Sequence, residues 1–182
     1  MLNLVIFLLG SLGFGILSRH VLTKPSSHGF PRFFAFEAIL GLIIVNAPAW
    51  FVQPFSLRQL ISWVLLMISA FLAIDCVLVL RKFGKPDQSI QDANRLVFEK
   101  TTHLITDGPY RFIRHPMYTS LLCIAWGTFL KQLSILSGLL VTLVSLALYI
   151  TAVFEERENL RSFGDEYVAY KLVTKRFIPF LF

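Results

Sequence analysis

Long apolar runs recur along this chain at the length a lipid bilayer demands, and they constrain its fold more than any other feature. A spanning helix needs about 20 largely apolar residues. On that basis spans are expected near 2–18, 33–52, 58–80, 116–130 and 133–154. Composition agrees: 55% of residues are apolar, only 15% are charged, and mean hydropathy is +0.68, far from a soluble profile. The expected fold class is therefore all-α. It is a multi-pass transmembrane helical protein of about five spans, one domain by length.

Local signals refine the layout. Pro25, Ser26, Ser27, Gly29 and Pro31 break the chain after the first span, Pro48 is expected to kink the second, and Gln53-Pro54 to end it. Leu2 to Leu17 reads as a retained span rather than a cleaved leader, since no positive charge precedes it and no small-residue cleavage site stands before Arg19. The fourth span is short, and Lys131-Gln132 leaves almost no loop before the fifth, which predicts a tight C-terminal helical hairpin. Five spans put the 19–32 segment, the 81–115 segment and the C-terminal tail on one side. Those segments hold every Lys and Arg except Arg58 and Lys131, so the expectation is a cytoplasmic middle loop and C-terminus with the N-terminus outside. The net charge of +6 then reflects membrane orientation, and nucleic acid is not an expected partner.

Two polar clusters interrupt this pattern. Thr102 to Tyr118 combines a Gly-Pro turn, Arg111, Arg114, His115, Tyr110 and Tyr118 with a proline placed to start a helix. A helix end of that kind offers free N–H groups and a positive dipole, a receptor for an anion or carboxylate. The plainer reading is a basic anchor beside the membrane. The second cluster is Glu155-Glu156-Arg157-Glu158, where span five leaves the membrane. Adjacent helical positions point about 100° apart, so at most one of Glu155 and Glu156 faces a ligand, leaving the other to orient Arg157 or Arg161; the plainer reading of the carboxylates alone is a solvated helix end. A break at Gly164 and a short amphipathic helix on the cytoplasmic surface follow. The tight hairpin brings the two clusters to one membrane edge.

Other polar residues have simpler accounts. Glu37 and Asp75 lie within spans, where ionisable groups are functional candidates, yet each is near enough to Arg32 or Arg81 for pairing or snorkelling. Cys76 and Cys123 read as packed thiols, and Trp50, Trp63 and Trp126 as packing or interfacial aromatics. The four histidines and two cysteines show no metal-ligand spacing.

A site with cationic, acidic and aromatic groups suits a ligand carrying an amino acid and a positive centre, such as S-adenosylmethionine, with Tyr110 and Tyr118 as cation–π partners. From about Thr102 to Pro179 the chain resembles the isoprenylcysteine carboxyl methyltransferase and phospholipid methyltransferase family of integral membrane enzymes. The matching pieces are His103-Leu104-Ile105, Gly108-Pro109-Tyr110-Arg111, Arg114-His115-Pro116-Met117-Tyr118, Glu155-Glu156, Phe163-Gly164-Asp165-Glu166-Tyr167 and Arg176-Phe177-Ile178-Pro179. The resemblance implies S-adenosylmethionine as cofactor, held by Thr102, His103, Leu104, Ile105, Tyr110, His115, Pro116, Met117, Tyr118 and Glu155 or Glu156. It also implies a lipophilic substrate, lipid or lipid-modified, entering from the bilayer. Residues 1–80 would then be three anchoring spans and 81–182 the catalytic region of a single membrane domain.

The expected reaction is direct methyl transfer to an O, S or N acceptor, which depends on alignment in a dry site and calls for no metal. Arg114, His115 and Glu156 are the expected catalytic residues. Arg111, Arg114 and His115 face the cofactor carboxylate, while Glu155 or Glu156 holds its ammonium or ribose. As aligned, Thr151 stands where prenylcysteine enzymes carry a substrate-binding arginine, which leaves the acceptor open. The competing classes are an NADPH-dependent sterol or steroid reductase-like enzyme, which shares a late Arg-His-Pro segment, and a non-enzymatic membrane scaffold or small transporter.

Overall fold

The computed structural model describes residues 1–83 and 103–181, so Thr102 lies outside the described residues. Five α-helices build the described part: α1 (Leu2–Leu22), α2 (Gly29–Asn46), α3 (Leu57–Phe83), α4 (Pro116–Phe129) and α5 (Ile135–Val173). Four of them, α1, α2 with its 3₁₀ continuation, α3 and α5, are long and apolar enough to cross a membrane. At about 1.5 Å per residue, the 14 residues of α4 reach roughly 21 Å, short of a hydrocarbon core of about 30 Å. The fourth expected span is thus present as a helix, but too short to cross by itself.

Association of helices in lipid relies on close packing and interhelical hydrogen bonds, since lipid tails are as apolar as leucine. Both are visible. One buried cluster joins Ala35, Ala38, Ile39 and Leu42 of α2 to Val141, Val144, Ala147, Leu148 and Ala152 of α5, with Tyr118, Ala125 and Phe177 completing it. The alanines let the backbones approach. Between α3 and α4, the Ser62 hydroxyl donates to the Gly127 carbonyl at 2.6 Å and the Ser69 hydroxyl to the Ser120 carbonyl at 2.7 Å. A side chain at Gly127 would come within 3.2 Å of the Ser62 carbonyl, so glycine sets this close approach. The remaining apolar faces, most fully on α1, point outward where lipid would lie.

Several local expectations change. The second span does not kink at Pro48: its α-helix stops at Asn46, and Pro48 sits in a separate 3₁₀ turn, Ala47–Ala49. There its missing N–H interrupts no α-helical ladder. Glu37 takes a hydrogen bond from Ser11 of α1, and Asp75 lies against the Gly108 turn. Lys131, in the tight turn between α4 and α5, is fully buried. Its ammonium donates to Gln59 Oε1 at 3.0 Å and lies 3.4 Å from the centre of the Trp63 ring, with Trp50 at 5.5 Å. Gln59 in turn donates to the carbonyls of Ala49, Val52 and Lys131. Cation–π contact and amide hydrogen bonding thus lock the α4–α5 turn onto the α2–α3 connection.

Helix α5 runs well past the expected end of its span and bends at Gly164, where φ 53 and ψ −127 leave the helical region. A Cβ there would meet nothing within 4 Å, so backbone conformation, not space, demands glycine. The bend turns the last stretch of α5 across the end of the bundle. The expected break and terminal helix are both present.

Candidate functional site

Two features bring the first polar cluster to the bundle end. Gly108 adopts φ 58, and a Cβ on it would lie 2.7 Å from Val79; only glycine satisfies both the turn and this contact. The following 3₁₀ turn, Gly108–Arg111, leads to an extended segment that pairs with the C-terminal tail. The Arg114 N–H donates to the Lys175 carbonyl at 2.7 Å, and the His115 N–H to the Arg176 carbonyl at 3.1 Å. Helix α4 then starts at Pro116 without a side-chain cap, leaving first-turn N–H groups available to a ligand.

The second cluster arrives on α5. Glu156 is almost wholly buried, and it gathers cations from three segments. Its Oε1 accepts from Arg114 Nε and Arg176 Nε, each at 3.0 Å, and its Oε2 accepts from Arg176 Nη2 at 3.0 Å, with Lys171 Nζ at 3.3 Å. Arg157, expected as a possible partner, instead lies over the Phe154 ring. Glu156 therefore welds α5, the segment before α4 and the tail together, and it does not line the cleft. Its neighbour Glu155 does.

His115 stands between the two carboxylates. Nδ1 lies 3.4 Å from Glu155 Oε2 and Nε2 lies 3.4 Å from Glu156 Oε1, and the ring stacks on Tyr118 at 5.4 Å. Burial by itself would push the imidazole pKa down, but the facing carboxylates favour the proton, and the balance lies above the ordinary histidine value.

A cleft opens beside this histidine. Leu80, His103, Leu104, Ile105, Tyr110, Arg114, His115, Pro116, Met117, Tyr118 and Glu155 line it, together with Asn159, Phe163, Tyr167 and Tyr170. Of the residues expected at a cofactor site, Thr102 lies outside the described residues and Glu156 sits behind the wall; all the others meet here. Arg111 is exposed and outside the lining. The reading of residues singly missed Leu80, Asn159 and Tyr170. Asn159 was legible in principle, since positions 155, 159 and 163 share one helical face. The Tyr170 hydroxyl also donates to the Tyr110 carbonyl, binding the far end of α5 to the Gly108 turn. Three polar atoms are buried here without a hydrogen-bond partner among the described residues: His115 Nε2, Glu155 Oε2 and the Tyr167 hydroxyl. Its volume is about 90 Å³, well under the roughly 300–1,000 Å³ of ordinary ligand pockets, so as it stands the cleft has room for only a small group.

Beside Tyr118 and Phe177 lies a larger cavity of about 480 Å³. Leu65, Leu122, Trp126, Tyr149 and Ile178 make it strongly apolar, with Thr119, Cys123 and Ser145 contributing the few polar groups. Adjacent residues thus face different cavities, Tyr118 the polar one and Thr119 the apolar one.

The chain is thus a helical bundle with membrane-spanning lengths, a polar cleft at one end and an apolar hollow beside it. The family model described as Phospholipid methyltransferase matches residues 57–166, and the chain belongs to that family of membrane methyltransferases. The match spans α3, α4 and α5 as far as the turn past Gly164, so it covers most of the cleft's lining. Searches of curated proteins and of solved structures return no match.

Proposed function

We propose that the protein is an S-adenosylmethionine-dependent methyltransferase acting on a lipophilic acceptor, with the cofactor in the polar cleft and the acceptor's apolar portion in the neighbouring cavity. The observation that carries this reading is the buried ion pair of His115 with Glu155 beside the Tyr167 hydroxyl, polar groups that make no close, well-formed hydrogen bond among the described residues, in a cleft walled by aromatic rings. Buried polar groups normally find partners, and this donor and acceptor set matches an amino-acid moiety. Glu155 suits an ammonium. A protonated His115 and the first-turn N–H groups of α4 suit a carboxylate. Tyr110, Tyr118, Tyr167 and Tyr170 offer π faces to a positive centre. Membership in the phospholipid methyltransferase family sets the reductase and scaffold readings aside.

The bound cofactor supplies an electrophilic methyl group on a sulfonium. The chain's own residues do the rest. Arg114 lines the cleft and also bonds to Glu156 and to the carbonyls of Lys171 and Thr174, so it braces the cleft wall against α5. His115 and Glu155 orient the polar end of the cofactor. Tyr118 and Phe177 both pack against His115 where the two hollows come nearest; donor and acceptor would meet in direct contact beside these rings, and the apolar walls exclude water from the displacement. The cleft and the basic residues around it lie on the cytoplasmic side by the charge asymmetry of the sequence.

The test is isothermal titration of purified, folded protein in detergent with S-adenosylhomocysteine. The expected result is saturable binding that Glu155→Gln weakens by about tenfold, a charge-assisted contact of roughly 1.5 kcal/mol. Folded protein that shows no binding would refute the reading.

A further inference from the structure

We propose that His28 and Glu158 form a positioning pair that sets the rotation of α5 and so aims Glu155 and Asn159 into the cleft; this rests on the function proposed above. The His28 ring is almost completely buried at the start of α2. Its Nδ1 lies 2.6 Å from Glu158 Oε2, and its backbone N–H donates to Glu158 Oε1 at 3.2 Å. Helix α2 has no side-chain cap of its own. The Glu158 carboxylate, 130 residues away in sequence, supplies the anion its N-terminus favours.

The geometry of α5 makes this contact matter to the site. At about 100° per residue, Glu156 and Glu158 project roughly 160° apart, and Glu155 and Asn159 fall within the arc between them. Glu156 is held on one flank by Arg114 and Arg176, and Glu158 on the other by His28. The cleft-facing residues are therefore fixed from both sides, as a roller is by two bearings. Without the His28 bearing, α5 pivots about Glu156 and carries Glu155 off its line. His28 lies outside the segment matched by the family model, in the part of the chain that the sequence presents only as an anchor.

The experiment measures S-adenosylhomocysteine affinity by calorimetry and melting temperature by intrinsic fluorescence, on full-length protein in detergent. His28→Ala and Glu158→Gln are the test variants, Glu158→Asp the conservative one, and Lys131→Met a destabilising control at the far end of the bundle. The two test variants should bind roughly tenfold more weakly, as small misalignments in a preorganised site do. Glu158→Asp should recover most of that loss, and Lys131→Met should lower the melting temperature while leaving affinity unchanged. Wild-type affinity in the test variants would overturn the proposal, as would an equal loss of affinity in Lys131→Met. If His28→Ala does not fold, Glu158→Gln compared with Glu158→Asp decides the matter by the same readouts. Failure of the wild type to bind would instead refute the cofactor reading beneath.

Discussion

Glu155 and Glu156 are neighbours in sequence with the same chemistry, yet the structure gives them different work. Glu156 is ringed by Arg114, Arg176, Lys171 and His115, so it holds the fold. Replacing it by Gln leaves three cations facing one another and is expected to cost about 2 kcal/mol, allowing for the partial exposure of Arg176 and Lys171; thermal unfolding measures it. His115 adds a pH dependence. Its pKa is raised in the folded protein, so its contribution to stability is complete below about pH 6.5, the ordinary histidine value, and is lost as pH rises through the higher folded value. Melting temperatures between pH 6 and 9 should therefore fall more in wild type than in His115→Asn. Parallel curves would mean the imidazole is already neutral in the folded protein.

At the scale of elements, α5 is both span and site wall, and the Gly164 bend makes this possible. Residues before it pack in the bundle, while Tyr167 and Tyr170 after it return to the cleft. Gly164→Ala meets no steric obstacle but penalises a positive-φ backbone, by about 1 kcal/mol. The expected outcome is a modest loss of stability with a larger loss of S-adenosylhomocysteine binding, because the bend sets where the two tyrosines lie. The buried Lys131 is the counterpart at the other end of the bundle. Trp63→Leu there should destabilise by about 1–2 kcal/mol, the worth of a desolvated cation–π contact, without changing ligand affinity.

For the whole molecule, a polar cleft and an apolar hollow meet along the start of α4, where Tyr118 lines one and Thr119 the other. The same stretch joins α4 to the tail: Thr119 donates to the Phe177 carbonyl at 2.9 Å while Tyr118 stacks on His115. If the apolar cavity receives the acceptor, narrowing it with Ser145→Leu or Cys123→Phe should raise the KM for a lipophilic acceptor several-fold and leave S-adenosylhomocysteine affinity unchanged. Equal kinetics in these variants would place the acceptor elsewhere.

The apolar runs and the turn residues determined much of this protein without any tertiary information. Helix length follows from continuous hydrophobicity, and Pro116, Gly108 and Gly164 mark their turns because few other residues tolerate those backbones. The meeting of Glu155 with His115 was also legible, since a hairpin of so few loop residues has little choice of partner. Tertiary structure alone decided which glutamate faces the cleft, that Arg114 bonds to Glu156, that Lys131 is buried in an aromatic box, and that His28 reaches Glu158. Each depends on the rotation of one helix against another. In a membrane, where nearly every face is apolar, hydrophobic periodicity carries little information about that rotation; scattered polar contacts and small residues fix it only once the helices are packed.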